Sequence, residues 1–141
     1  MKKHEAKHII TVLMNAQRSG IEAGEFKLKE LQKAGPRWAV KDESKNKIVG
    51  TLLDVCGFAA LHLAGHSKIV RAIKLVGKPD RYRDLSYNGF SISRNTYRGG
   101  YGLMVYLSNR QELSVQERTV EAFCDYCKDH GLECTWSSRI D

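Results

Sequence analysis

Basic and aromatic side chains alternate between residues 78 and 110, in a pattern typical of contact with single-stranded nucleic acid. Guanidinium groups pair with phosphates, and aromatic rings stack on unpaired bases. The cations predicted to contact phosphates are Lys78, Arg81, Arg83, Arg94 and Arg98. The rings predicted to stack on bases are Tyr97 and Tyr101. The alternative to nucleic-acid binding is that these cations form an ordinary solvated surface and the tyrosines are ordinary strand residues.

The stretch from Gly99 to Tyr106 resembles the aromatic strand of RNA-recognition motifs at four of its eight positions. The matching positions are Gly100, Tyr101, Gly102 and Tyr106. Gly99 stands where that strand has a Lys or Arg, and Leu103 replaces its second stacking ring. The resemblance is confined to these eight residues and does not assign the chain to that family.

Three cysteines and a histidine near the C-terminus could supply thiolate and imidazole ligands for zinc. They are Cys124, Cys127, His130 and Cys134. Their spacing matches no common zinc pattern. Cys124 and Cys127 instead continue an apolar helical stripe with Val120 and Phe123, so we interpret them as core residues. We predict no metal and no cofactor.

The sequence contains no recognisable catalytic motif. Histidines occur in pairs four residues apart, at His4 with His8 and at His62 with His66, without the glutamate of a metalloprotease helix. Asp54 falls near the end of an apolar run but has no identified partner. We therefore predict no catalytic residue, and an enzyme would require a pocket that unites His62, His66 or Asp54.

Length and charge limit the class of protein. The chain has 141 residues, which predicts one domain, and a formal net charge of +7. Residues 78–110 carry 6 basic and 2 acidic side chains, whereas residues 111–141 carry 3 and 7. A basic protein with such asymmetry is a candidate for polyanion binding. With neither an apolar span nor a signal-like segment, we expect a cytoplasmic, non-membrane protein with reduced thiols.

The pattern of apolar residues and turn residues in the first 53 positions predicts two helices followed by a β-hairpin. Apolar spacing favours one helix over residues 5–18, ended by Ser19-Gly20, and a second over 25–34, ended by Gly35-Pro36. We treat residues 1–36 as a helical extension and 37–141 as an α+β core. Two strands, 38–40 and 47–53, should flank a polar turn at 42–46.

The tract from Gly57 to Val76 permits two interpretations. Its apolar residues fall on one helical face, which favours a helix over 57–76 that ends at Gly77. The rival interpretation extends a strand through Leu63 and starts the helix at Ser67.

The last fifty residues predict strand, turn, strand, helix and strand. The strands are expected at 91–94, 101–107 and 132–136, and Ser114 with Glu117 forms a capping box that starts the helix. Residues 47–138 then have the order β-α-β-β-α-β, which predicts a ferredoxin-like antiparallel sheet with helices on one face. Residues 38–40 would add an edge strand.

Two classes of function follow from these expectations. The first is a small basic protein that binds single-stranded RNA or DNA through a sheet face and its hairpin. The alternative is a module for protein interaction or self-assembly, because this sheet architecture serves many unrelated roles. The sheet face would be available only if the N-terminal helices do not cover it.

Overall fold

The computed structural model describes the backbone of residues 1–141 and every side chain except those of Trp38, Val40 and residues 48–52. The elements in chain order are α1 (Lys3–Ala34), β1 (Trp38–Asp42), β2 (Lys47–Leu52), β3 (Gly57–Leu63), α2 (Lys68–Val76), β4 (Lys78–Pro79), β5 (Leu85–Tyr87), β6 (Phe90–Arg94), β7 (Tyr101–Met104), α3 (Leu113–Asp129) and β8 (Thr135–Ile140). Among the described residues, no helix combines the length and the apolar content that crossing a bilayer requires.

The strands form two antiparallel sheets. β1 and β2 pair with each other in a two-stranded sheet, and the other strands form a six-stranded sheet in the order β4-β5-β6-β7-β3-β8. Every strand pair in the larger sheet is antiparallel. The α+β class is therefore confirmed.

The predicted ferredoxin-like arrangement is not confirmed. The sheet has six strands, and the predicted first strand at 47–53 lies outside it, paired with β1. Residues 38–40 consequently do not extend the main sheet. Its far edge is formed by β4 and β5, two short strands that the sequence interpretation did not include. The segments β3, α2, β6, β7, α3 and β8 do follow one another in the order β-α-β-β-α-β.

The rival interpretation of the 57–76 tract is the one that the structure adopts. Residues 57–63 form a strand in which Leu61 and Leu63 are buried, whereas the outward positions Phe58 and Ala60 are exposed. This alternation is the two-residue period of a strand. Ser67 then caps α2, because its hydroxyl accepts a hydrogen bond of 3.2 Å from the Val70 amide.

The N-terminal segment is one helix of 32 residues, so the predicted break at Ser19-Gly20 is wrong. Gly20 and Gly24 lie on the side of α1 that packs against α3. A Cβ added at Gly20 would come within 2.8 Å of the Thr119 carbonyl oxygen, and one at Gly24 would collide with Thr119 Oγ1. These glycines therefore permit close packing of the two helices instead of ending the first.

The helices all lie on the same side of the main sheet. α2 and α3 pack directly on the strands, and α1 packs on α2 and α3. The core lies between these layers and includes Ile10, Leu13, Ile73, Phe90 and Phe123. The opposite face of the sheet is consequently left uncovered by α1.

Asp54 has a structural role at the start of α3. Its carboxylate accepts a hydrogen bond of 2.9 Å from the Ser114 amide, and its side chain is 8% exposed. The predicted capping box is wrong, because Glu112 is the N-cap residue and Glu117 instead accepts a hydrogen bond from Ser138. Burial is the largest single influence and raises the pKa of Asp54, but Ser114, the Val55 amide and the charge of Arg37 together lower it more, so the net shift is downward.

Replacing Asp54 with alanine should reduce the free energy of unfolding by about 1–2 kcal/mol at pH 7, the usual effect of losing a helix cap. Because the folded pKa is lowered, this stabilisation is present above the unfolded pKa near 3.8 and is lost as pH falls through the folded value. Urea unfolding at pH 7 and pH 3 measures both effects. Asp125→Ala, which removes an exposed carboxylate within α3, should change the free energy of unfolding by less than about 0.5 kcal/mol. Equal effects of the two substitutions would contradict the capping role.

Candidate nucleic-acid interface

The uncovered face of the sheet is formed by the outward side chains of β3, β6, β7 and β8. We call this surface the outer face. Its residues are Phe58, Ala60, His62, Ser91, Ser93, Gly102, Met104, Thr135, Ser137 and Arg139. None of these positions carries an acidic side chain. Phe58 is 50% exposed and Met104 is 60% exposed, so the outer face offers apolar surface beside cations.

Arg98 lies over the outer face and forms a hydrogen-bonded network there. Its Nη1 is 3.0 Å from His62 Nε2 and 3.2 Å from Ser137 Oγ, and His62 Nε2 is 2.7 Å from Ser137 Oγ. Burial, and then the positive charge of Arg98, lower the pKa of His62, so the imidazole is neutral at pH 7. The network therefore carries the single positive charge of Arg98.

The turn between β6 and β7 places Arg98 and Tyr97. The Asn95 carboxamide oxygen accepts hydrogen bonds of 3.0 Å from the amides of both residues. Gly99 and Gly100 follow with φ of 72° and 70°, a region that side chains other than glycine rarely adopt. The turn thus directs Arg98 back toward the sheet and leaves Tyr97 99% exposed.

Phe58 and Arg139 form a second contact on the outer face. They are paired across β3 and β8, and the Arg139 guanidinium lies 5.4 Å from the centroid of the Phe58 ring. This is a cation–π distance. A base that stacks on this face of Phe58 would displace the Arg139 guanidinium, which could then contact the adjoining phosphate.

The seven predicted contact residues do not form one cluster. Lys78 belongs to β4, and Arg81 and Arg83 belong to the loop before β5, so all three lie at one edge of the sheet. Five strand spacings of about 4.8 Å, or about 24 Å, separate that edge from β8. Only Tyr97 and Arg98 lie at the turn beside the outer face.

Arg94 and Tyr101 are paired across β6 and β7 on the side that faces the helices. Tyr101 also pairs with the buried residue Leu63, and Lys74 of α2 lies 4.9 Å from the centroid of its ring. A hydrogen bond from Lys74 is the main cause that lowers the pKa of Tyr101. Tyr101 therefore lies on the side of the sheet opposite the outer face, and its stacking on bases stays a prediction.

Three residues of the outer face were not among the predicted contact residues. They are Phe58, His62, which is a partner of Arg98, and Arg139. Phe58 and His62 were assigned to a helix, and Arg139 lies beyond the predicted last strand at 132–136. His62 is the one polar side chain in residues 57–63, so this segment shows no polar–apolar alternation that would have indicated a strand. Arg139 had no local signal, since its place depends on the pairing of β8 with β3.

His62 and Ser137 have the separation of a catalytic base and its nucleophile. A cavity of about 370 Å³ opens nearby, lined in part by His62, Asn95 and Met104. A working pair also requires a group that orients the base through its other ring nitrogen. Among the described side chains, the hydrogen bonds of His62 involve Nε2 alone. The arrangement thus supplies polar contacts for a ligand and lacks the orienting partner of such a pair.

The C-terminal cysteines lie in or beside the core. Cys124 and Cys127 are buried, as their helical stripe predicts, and Cys134 Sγ lies 3.3 Å from Cys124 Sγ. His130 is held apart from them by a 2.8 Å hydrogen bond between its Nδ1 and the Tyr126 carbonyl. No cluster of three or more potential metal ligands occurs among the described residues.

Burial, with a smaller effect of Cys124, raises the pKa of Cys127 to about 12. The folded thiol therefore keeps its proton while the unfolded thiol loses it near pH 8.5, so this contribution to stability is complete below pH 8.5 and declines as pH rises toward 12. Between pH 7.5 and 10.5 the wild type should lose about 2.6 kcal/mol more than Cys127→Ala. Denaturant titrations of both proteins at the two pH values measure the difference. Parallel losses would contradict a buried neutral thiol.

No protein-family model, curated protein or solved structure matches this chain. What the protein binds must therefore be inferred from its own surface.

Proposed function

We propose that the protein binds single-stranded nucleic acid on the outer face of its six-stranded sheet. The observation that carries this proposal is the composition of that face: exposed Phe58 and Met104 share it with the cations Arg98 and Arg139, with no acid at the outward strand positions. Rings that stack on bases and cations that contact phosphates are what single-strand binding requires. α1 leaves this surface free, because it packs on the other helices.

The polar groups of the outer face suit a single strand better than a duplex. His62, Ser137 and Asn95 present ring nitrogen, hydroxyl and carboxamide groups beside the apolar surface. Unpaired bases expose the edges that such groups can contact, whereas a duplex hides them in its grooves. The exposed ring of Tyr97 lies at the adjoining turn and offers a further stacking surface.

Cations at the far edge of the sheet would extend the path of the strand. Lys78, Arg81 and Arg83 are all exposed there. The Arg81 guanidinium stacks 4.8 Å from the centroid of the Tyr82 ring, which holds it in place. A strand that crosses the outer face from β8 toward β4 would reach these cations after the Arg98 network. They remain predicted phosphate contacts.

Titration with labelled oligonucleotides tests the proposal. We expect single-stranded RNA or DNA to bind more tightly than duplex DNA of the same length. With three to five phosphates neutralised, the affinity should fall by about 20- to 100-fold between 50 and 200 mM salt. Binding that is indifferent to salt, or equal affinity for the duplex, would contradict the proposal.

The apolar part of the outer face also favours a second candidate function, docking of another protein or of a second copy of this chain. Phe58 and Met104 are exposed on one surface, and Ile140 at the end of β8 is exposed as well. Sedimentation at increasing protein concentration distinguishes the two functions. A rise in mass that Phe58→Ala abolishes, with no affinity for any oligonucleotide, would favour assembly over nucleic-acid binding.

A further inference from the structure

A second concave site lies on the helical side of the protein, away from the outer face. Its cavity of about 470 Å³ is formed where the first turns of α1 and α2 meet the C-terminal end of α3. Ile9, Val12 and Leu132 are buried and form its apolar floor. A volume of this size is ordinary for a small-molecule site.

Nitrogen-bearing side chains surround that floor. They are His4, His8, Lys68, Arg71 and His130, and they come from three separate helices. Glu5 is the one acid among the described lining residues. The ion pairs found among the described residues involve neither Lys68 nor Arg71, so both cations are available to an anion.

The ring of His130 is held at the rim. It stacks on Tyr126 with the ring centroids 4.2 Å apart, and its Nδ1 is 2.8 Å from the Tyr126 carbonyl oxygen. A carbonyl oxygen can only accept, so Nδ1 donates this hydrogen bond, and Nε2 of the neutral ring can only accept one, for example from a hydroxyl of the ligand. This fixed histidine therefore differs from a freely rotating surface side chain.

The distribution of these groups indicates the chemistry of the ligand. Two permanent cations on α2, with the imidazoles of His4 and His8 on α1 as further donors, match a dianion whose oxygens point in several directions, and guanidinium binds phosphate oxygens in pairs. A phosphate group is much smaller than the cavity. The remaining space, above Ile9, Val12 and Leu132, suits an apolar or aromatic body.

We propose that this cavity binds a phosphate monoester carried on a small apolar or aromatic body. The phosphate lies against Lys68 and Arg71, and the body lies on the apolar floor. Such a group could belong to a free small molecule or to the phosphorylated end of a nucleic acid. The residues of this cavity are separate from those of the outer face, so experiments can confirm or contradict this proposal independently of the function proposed above.

Isothermal titration of the full chain with phenyl phosphate, inorganic phosphate and phenol tests both halves of the site. We expect one phenyl phosphate to bind per chain, at least about tenfold more tightly than either of the other probes, because they lack the body or the charge. Arg71→Ala and His8→Ala should each weaken phenyl phosphate binding, by at least about tenfold for Arg71→Ala. Arg18→Ala, which removes an exposed cation from the same helix as His8, should leave it unchanged.

A 5′-phosphorylated oligonucleotide and its 5′-hydroxyl counterpart distinguish the two sources of the phosphate. A preference for the phosphorylated form that Arg71→Ala removes assigns the site to a nucleic-acid end. Phenyl phosphate binding without that preference assigns it to a small molecule. Absence of saturable binding to every phosphate probe, or equal losses in Arg71→Ala and Arg18→Ala, would overturn the proposal. Phe58→Ala should leave phenyl phosphate binding intact.

Discussion

Replacing Phe58 with alanine is expected to weaken the binding of a single-stranded oligonucleotide by about 5- to 150-fold, because stacking of one base on an aromatic ring contributes about 1–3 kcal/mol. Phe58 is the aromatic ring at an outward strand position on the outer face, and Arg139 lies directly beside it. Fluorescence anisotropy at constant low salt measures the change. The fold should be retained, since the side chain is half exposed.

Phe26→Ala is the matched control for that experiment. Phe26 is 67% exposed on α1, so its loss removes a comparable solvent-facing ring from the opposite side of the protein. It should leave oligonucleotide affinity unchanged within about twofold, because it removes no stacking surface from the outer face. If the two substitutions weaken binding equally, the outer face is not the nucleic-acid surface.

The second large effect is expected at the contact between α1 and α3. Replacing both Gly20 and Gly24 with alanine should lower the free energy of unfolding by about 2–4 kcal/mol, since overpacking a tight contact usually costs about 1–3 kcal/mol per site. Helix propensity alone predicts the opposite, a gain of about 1 kcal/mol at each glycine. Chemical denaturation of the double variant decides between these signs.

The Thr119 side chain supplies a specific control for this effect. Its hydroxyl donates a 2.7 Å hydrogen bond to the Val115 carbonyl and occupies the space that a Cβ at Gly24 would need. In a Thr119→Ala background, Gly24→Ala should therefore destabilise less than it does in the wild type. Identical costs in the two backgrounds would show that the glycine is not required by this contact.

Local signals predicted several elements correctly. Asn95, Gly99 and Gly100 mark the tight turn between β6 and β7, because an asparagine side chain and two left-handed residues define it without help from distant parts of the chain. Gly77 likewise ends α2 where the apolar helical pattern ends. These features depend on neighbours in sequence, and the sequence displays them directly.

The errors arose where distant contacts decide between local alternatives. Gly20 has the signal of a helix end, but packing against Thr119 retains it inside α1. Gly57 begins β3, where it pairs with β8. A glycine is required at this position because an added Cβ would collide with the Arg139 carbonyl. No property of the 57–63 segment alone specifies that pairing.

The structure shows where the predicted contact residues lie, and they are divided between the outer face, the opposite side of the sheet and its far edge. Arg98 and Tyr97, which the basic and aromatic composition singled out, lie beside the outer face, and their contacts with nucleic acid stay predictions. The side of the sheet on which Tyr101 lies was also deducible, since it shares strand parity with the apolar Leu103. By contrast, the proximity of Ser137 to Arg98 and of Arg139 to Phe58 depends on the pairing of β3 with β8, which the sequence does not encode locally.

Amide chemical shifts measured during an oligonucleotide titration test the central claim most directly. In ¹H–¹⁵N spectra of the full chain, we predict that the amides which shift first and most are those of β3, β7 and β8, with the turn that carries Tyr97 and Arg98. The chemical shifts of the α1 amides should not change. Shifts confined to α1 and the first turn of α2, or shifts spread evenly over the whole protein, would contradict binding on the outer face.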